Sequence, residues 1–191
     1  MYKVYLFFHI FGAIVWIGLG ITGHALGVWA TRNREWDFGR TFSLALTSIE
    51  PAAIVAGPLL LLGTGIGMVL DGPWSFTDTW IVVGLSGYAA ALALGAGFQG
   101  PGMRRLEAIM DERGADDPSA IALVHRMNGL MWLELAVLLI VLLAMATKPT
   151  GAGPAGFWIA AGSLVAASVV LATRDFRAAS ATPASAASPP A

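Results

Sequence analysis

Read for the alternation of apolar and polar positions, the chain divides into five long apolar runs joined by short polar segments. The first run, residues 4–30, contains no Asp, Glu, Lys or Arg. At about 1.5 Å per residue, a helix of that length spans more than the roughly 30 Å hydrocarbon core of a bilayer. Four further runs follow at 49–70, 80–100, 127–147 and 155–173, each close to the roughly 20 residues a spanning helix needs. The pattern predicts an all-α integral membrane protein, a polytopic bundle of five transmembrane helices with a four-helix core and one peripheral helix. A cleaved leader has an apolar segment of only about 7–15 residues behind a basic stretch. The first run is longer, with Lys3 its only basic flank, and is expected to be retained.

The polar segments carry their own local signals. In 101–126, Leu106, Ile109 and Met110 recur at helical spacing, Gly114 is placed to stop a helix, and Asp117-Pro118 to open the next. That predicts a helical extension of the third and fourth spans beyond the bilayer. Thr47-Ser48-Ile49-Glu50-Pro51 matches a capping box with proline in the first turn, predicting that the second helix starts there. The Ala/Ser/Pro segment 174–191 is expected to be a disordered tail. Glycines at 20, 23, 27, 63, 65, 67, 84, 87, 95 and 97 punctuate the spans and suit close helix approach in lipid.

Charge sets the orientation. Arg32, Arg34 and Arg40, then Arg104, Arg105, Arg113 and Arg126, then Arg174 and Arg177 all fall on one side, nine basic residues against Lys3 and Lys148 on the other. Basic residues favour the cytoplasmic side of short loops, so the N-terminus is expected outside and the C-terminus inside. The indoles agree: Trp29 and Trp36 fall at the inner interface, and Trp74, Trp80 and Trp158 at the outer. Composition adds little to this. The chain is 57% hydrophobic and 12% charged, against about 25% charged in soluble domains. A net charge of −1 says nothing about nucleic acid, but no basic stripe is present, and the expected partner is the lipid bilayer, with no nucleic acid. The absence of cysteine excludes disulfides, thiolate metal sites and thioether-linked haem.

Ionisable groups inside an apolar span are costly enough to be read as functional by default. His9 and His24 both lie in the first run, about 22 Å apart along the axis and so unable to share one metal. At about 100° per residue, Trp16 falls about 20° from His9 and His24 about 60° from it. Gly12, Gly20 and Gly23 lie near the same face. A glycine beside a histidine and an indole would let a flat macrocycle approach the backbone, which makes His9, with Gly12 and Trp16, a candidate haem ligand. The outer half offers Met68, Met145 or a second protomer as the other axial ligand. In the inner half, His24, Glu50, His125 and Glu134 form a candidate polar cluster, with Glu134 expected to pair with His24. Against these stand blander roles. Each histidine can donate to a neighbouring carbonyl, Glu50 can serve as a helix-start residue, and His125 beside Arg126 can be a solvated side chain. No nucleophile–base arrangement, P-loop or His-Glu-x-x-His motif is present.

His9 followed by Gly12 and Trp16-Ile17-Gly18, Gly63-Thr64-Gly65-Ile66-Gly67-Met68, Trp80, Arg104-Arg105 and Lys148-Pro149 together resemble an uncharacterised bacterial membrane family, the domain of unknown function numbered twenty-two sixty-nine. The resemblance covers roughly residues 1–150 and implies a multi-pass protein of the bacterial cytoplasmic (inner) membrane. It carries no activity. More distantly, the first span and Lys148-Pro149 are similar to the HemJ-type protoporphyrinogen oxidases, and the first span also to CopD-like copper-resistance membrane domains. The HemJ likeness implies a haem b ligand at His9. The chain departs from that family in two places: 80–100 has no Lys or His, and Asn128-Gly129 stands where the family has Asn-Glu. Two function classes follow. One is a haem-binding membrane redox protein. The other is a small transporter, permeation or accessory subunit with a polar relay in the inner half. A homodimer or larger membrane complex is compatible with both.

Overall fold

The computed structural model describes residues 1–151 and 155–182, with side chains for all of these except residues 40, 42–44 and 46–55. Helices account for nearly all of it, and no strand occurs among the described residues. In chain order these are α1 (Tyr2–Asn33), α2 (Trp36–Asp71), α3 (Thr79–Leu94), a π-helical turn (Gly95–Gln99), α4 (Gly100–Arg113), α5 (Pro118–Thr147) and α6 (Ala155–Ala181). Tyr2–Asn33, Thr79–Arg113, Pro118–Thr147 and Ala155–Ala181 are long and apolar enough to cross a membrane, and Ala56–Asp71 is a shorter apolar helix segment. The protein is therefore an all-helical, multi-pass chain. Its outer surface fits lipid: Ile14 is 66% exposed, Leu59 62% and Ile159 68%, exposures that would be costly in water.

The helices pack as antiparallel neighbours, with α1 on α2, α3 on α5, α5 on α6, and a smaller contact of α1 with α5. In lipid there is little hydrophobic drive between helices, so association depends on close packing at small residues. That is how α3 meets α5. A β-carbon at Gly84 would overlap the Met145 methyl, and one at Gly87 would overlap Val141. On α1 and α2, a β-carbon at Gly12 would stand 3.3 Å from the Gly57 carbonyl oxygen and 3.4 Å from the Leu61 nitrogen. At one end of the bundle, Val69, Trp80, Ile81, Ala144 and Phe157 form an apolar core. At the other, Leu106, Met110, Ala120 and Met127 join α4 to α5.

The structure redraws two boundaries. First, α2 begins at Trp36 and its backbone is helical straight through the Thr47–Pro51 segment. The capping box does not start the helix, because the Gly39 N–H, donating to the Glu35 carbonyl at 3.0 Å, already closes a helical turn upstream. Second, α6 continues to Ala181, so Arg174, Asp175 and Arg177 are helical. Alanine and arginine are strong helix formers and the next proline is Pro183; residues 183–191 of the expected tail lie outside the described residues. The last helix, α6, is peripheral as expected, packing on α5 through one of the most extensive interfaces in the fold. The helix pair expected at 101–126 is present: Gly114 ends α4 at φ 92°, and the Asp117 carboxylate accepts the Ser119 N–H at 2.8 Å to cap α5.

Candidate functional site

His9 is anchored by α2. Its Nδ1–H donates to the Leu61 carbonyl oxygen at 2.9 Å, and the Thr64 hydroxyl lies 3.4 Å from the same nitrogen. That carbonyl belongs to a helix whose Thr64 hydroxyl bonds back to Leu60 at 2.5 Å. The ring itself lies flush on Gly65, where a β-carbon would stand 3.1 Å from Cε1 and 3.3 Å from Nδ1. Since a carbonyl can only accept, Nδ1 carries the proton and Nε2 presents a lone pair. No hydrogen bond reaches Nε2 among the described residues.

His9 lines a cavity of about 490 Å³ bounded by α1, α2, α3 and α5. Its walls are almost wholly apolar. Trp16 stands edge-on to Tyr88, with ring centroids 5.4 Å apart, and the Tyr88 hydroxyl donates to the Pro58 carbonyl at 3.0 Å. That bond ties α3 to α2 across the gap. Met68 and Met145 bring thioethers to the wall from α2 and α5 respectively. Trp80 lines the cavity too, and Lys148 Nζ lies 5.2 Å from its ring centroid and 4.4 Å from that of Trp74. Lys148 takes the left-handed conformation (φ 45°) that closes α5, and the adjacent Pro149 is fully buried. A fixed cation thus stands beside the indole at one edge of an otherwise uncharged cavity.

Of the residues expected at this site, His9 and Trp16 are brought to the cavity and Gly12 is not. Gly12 is buried against the backbone of α2, so its missing side chain serves helix approach and not a macrocycle. The glycine that makes room for the imidazole is Gly65, on the partner helix. Sequence periodicity on α1 could not find it, because the contact depends on the register between two helices.

The expected polar cluster is divided. His24 is only 4% exposed, its two ring nitrogens are sealed from solvent without a partner among the described residues, and its ring meets Trp132 edge-on at 4.2 Å. The Trp132 Nε1–H donates to Asp175 Oδ2 at 3.0 Å, and His125 Nδ1 lies 3.1 Å from Asp175 Oδ1. So His24 and His125 do converge, around Asp175 of α6, a residue that reading the tail as disordered concealed. Glu134 does not join them. Two residues on from Trp132, it projects about 200° around α5, and its Oε1 lies 3.9 Å from a β-carbon placed on Gly95, in the π-helical turn. Opposite faces of one helix cannot share a partner, which corrects the expected His24–Glu134 pairing. The side chain of Glu50 lies outside the described residues. Asn128, also buried, donates to the Thr31 hydroxyl at 3.3 Å and ties α5 to α1. Among the described residues, no three His, Asp or Glu side chains lie close enough to hold a metal ion.

A family model described as "Predicted integral membrane protein (DUF2269)" matches residues 3–149. It spans α1 to the end of α5 and leaves α6 beyond its limit. No curated protein and no solved structure matches the chain.

Proposed function

The chain belongs to this family of predicted integral membrane proteins, and on that premise we propose that it is a membrane redox protein holding b-type haem in the α1–α2–α3–α5 cavity, with His9 as an axial ligand. The observation that carries the reading is the tautomer of His9. A ligating histidine usually donates its other ring N–H to a carbonyl or carboxylate, which fixes the ring and makes the free nitrogen a better donor. His9 has that arrangement, with Leu61 as the acceptor and Nε2 unpaired. The cavity's size supports it, since cofactor pockets run from roughly 300 to 1,000 Å³. Soft thioethers at Met68 and Met145 suit iron as a second ligand. Bound there, haem would supply one-electron transfer. His9 would hold the iron, Trp16 and Tyr88 would wall off water, and Lys148 would supply positive charge beside Trp80.

The orientation proposed with it places the N-terminus and the Lys148 end outside, the Asp175 end inside, and all five apolar segments across a bacterial inner membrane. The test is haem content. Wild type and His24→Ala should retain haem through purification, and His9→Ala should lose it, because neither backbone nor water replaces an imidazole on the iron. Equal haem in wild type and His9→Ala contradicts the proposal. One observation favours a second reading, an accessory or permeation subunit: His24 is buried at the far end near the Asp175 carboxylate, with both nitrogens unpaired among the described residues.

A further inference from the structure

Glu134 is the one charged residue of α5 between Met127 and Thr147, and neither the packing nor the His9 site uses it. On α5 the cavity-lining residues Leu138, Val141 and Met145 recur at helical spacing. Glu134 continues that row by one turn, about 6 Å, away from Lys148. Across the seam, Gly84 and Tyr88 line the cavity, and Gly95 continues their face of the helix. Three contacts fix the register of the two helices. A β-carbon on Gly84 would meet Met145, one on Gly87 would meet Val141, and one on Gly95 would stand 3.9 Å from Glu134 Oε1. The half-buried carboxyl thus sits at the end of the same seam that holds the cavity.

The backbone opposite it is irregular for a stated reason. Thr79–Arg113 is long and apolar enough to cross a membrane, yet Pro101 within it has no N–H for the preceding turn. The Gly100 N–H bonds instead to the Gly95 carbonyl, five residues back, and the π turn Gly95–Gln99 results. Such turns gather at functional sites, and irregular backbone at membrane depth is tolerated where protein or water covers it. The next polar group along the seam is Gln99. Its Nε2 donates to the Met127 carbonyl at 3.3 Å, while its Oε1 is sealed without a partner among the described residues.

Nothing nearby balances a charge on Glu134. No hydrogen bond or ion pair reaches it among the described residues. From Thr79 to Gln99 the facing helix carries no charged residue, and Tyr88 gives its hydroxyl to Pro58. The first cation on that side, Arg104, reaches back only to Gly100, its Nη1 3.7 Å from a β-carbon placed there. On the other face of α5, His24 of α1 meets Trp132, and Asp175 of α6 is bonded to Trp132 and His125. Arg32 lies in the last turn of α1. An uncompensated carboxylate inside a span is costly. A bound proton removes that charge without further ligands, whereas Mg²⁺ or Ca²⁺ would need six or more oxygens.

We propose that Glu134 is a reversible proton-binding site, filled along the seam from the Gln99 side. It gives the chain a means of bringing a proton to the end of the His9 cavity, and it stands whatever fills that cavity.

The experiment uses the full-length protein in detergent and dicyclohexylcarbodiimide, an apolar reagent that reacts with proton-bearing carboxyls. The carboxyl oxygen bonds the central carbon of the reagent while its proton passes to a reagent nitrogen, and the adduct rearranges to a stable N-acylurea with nothing lost. Peptide mass spectrometry should place an adduct on Glu134, and its yield should fall as pH rises. A water-soluble carbodiimide should label it several-fold less, since Ala96, Gly97 and Phe98 beside it are exposed on the lipid side. In D₂O the infrared carboxyl band absent from Glu134→Gln should shift in wild type, and shift several-fold more slowly in Gln99→Leu. The thermal transition of each variant, read beforehand, confirms that it is folded. Wild type without an adduct on Glu134 overturns the proposal, as does a yield that stays flat with pH. A carboxyl band that never exchanges in D₂O overturns it by making Glu134 a sealed structural group. Protection of Glu134 by Na⁺ at constant ionic strength overturns it by assigning the site to that ion.

Discussion

Gly65→Ala should damage the His9 site while leaving the fold almost untouched. The added β-carbon would sit 3.1 Å from His9 Cε1 and 3.3 Å from Nδ1, whereas relaxed carbon contacts lie at about 3.5–4.0 Å. The ring must therefore retreat by a few tenths of an ångström. It is held by the 2.9 Å bond from Nδ1 to Leu61, and that retreat stretches the bond toward the usual limit of about 3.2 Å. Losing a neutral hydrogen bond costs about 0.5–1.5 kcal/mol. Replacing a mid-helix glycine by alanine returns about 1 kcal/mol. The two nearly cancel, so the thermal transition in detergent should move by no more than a few degrees. The site should not recover in the same way, because the imidazole is no longer fixed in orientation. Nitrogen NMR of labelled histidine should show the His9 Nδ1 resonance shifted, and retained haem should fall. Gly63→Ala is the control, since nothing lies within 4 Å of a β-carbon there. Identical Nδ1 resonances in the two variants would refute the reasoning, as would a Gly65→Ala protein destabilised like a core cavity mutant.

Other consequences follow from particular contacts. Gly129→Ala would drive a β-carbon to 2.8 Å from the Phe176 ring, and overpacking of that kind costs about 1–3 kcal/mol. Its melting point should fall while that of Gly162→Ala, which has open space, should hold or rise. Asp175→Asn should loosen α6 from α5 by weakening its bonds to Trp132 and His125, seen as a shift in Trp132 fluorescence and a lower melting temperature; an unchanged protein would rule out Asp175 as the clasp. Asp117 caps α5 outside the spans. Desolvation is the largest single influence and raises its pKa, but the Ser119 backbone and hydroxyl bonds, the Arg113 charge and the Ala120 N–H together outweigh it, holding the carboxyl below the usual carboxylate range. Its folded pKa is the depressed one, so its contribution is fully present above the ordinary carboxylate pKa and is lost as pH falls through the lowered value. The difference in melting temperature between wild type and Asp117→Ala should be constant at neutral pH and shrink in acid. Reporter fusions after Thr77 should read as external and those after Glu112 as cytoplasmic; the reverse would invert the proposed orientation.

The apolar runs made the helical membrane fold legible because a bilayer leaves a chain few ways to satisfy its backbone. Local stops and starts were equally plain where backbone chemistry is local, as at Gly114 and Asp117. Two kinds of information were not. Helix extent failed at both ends where packing and propensity outran a capping motif, in α2 before Thr47 and in α6 past Thr173. Partnership between spans failed because it depends on register. Depth alone suggested His24 with Glu134, but rotation about α5 puts Trp132 toward His24 and Glu134 toward Gly95. His9 was legible as an anomaly. Its anchoring by Leu61 and Gly65 was not, since both lie on another helix.

The visible spectrum of the wild-type protein, purified from cells supplied with iron and then compared reduced against oxidised, bears most directly on the central reading. A Soret band with reduced α and β bands of b type, absent from His9→Ala and intact in His24→Ala, is the expected result. A colourless protein that also fails to take up added haemin would contradict it.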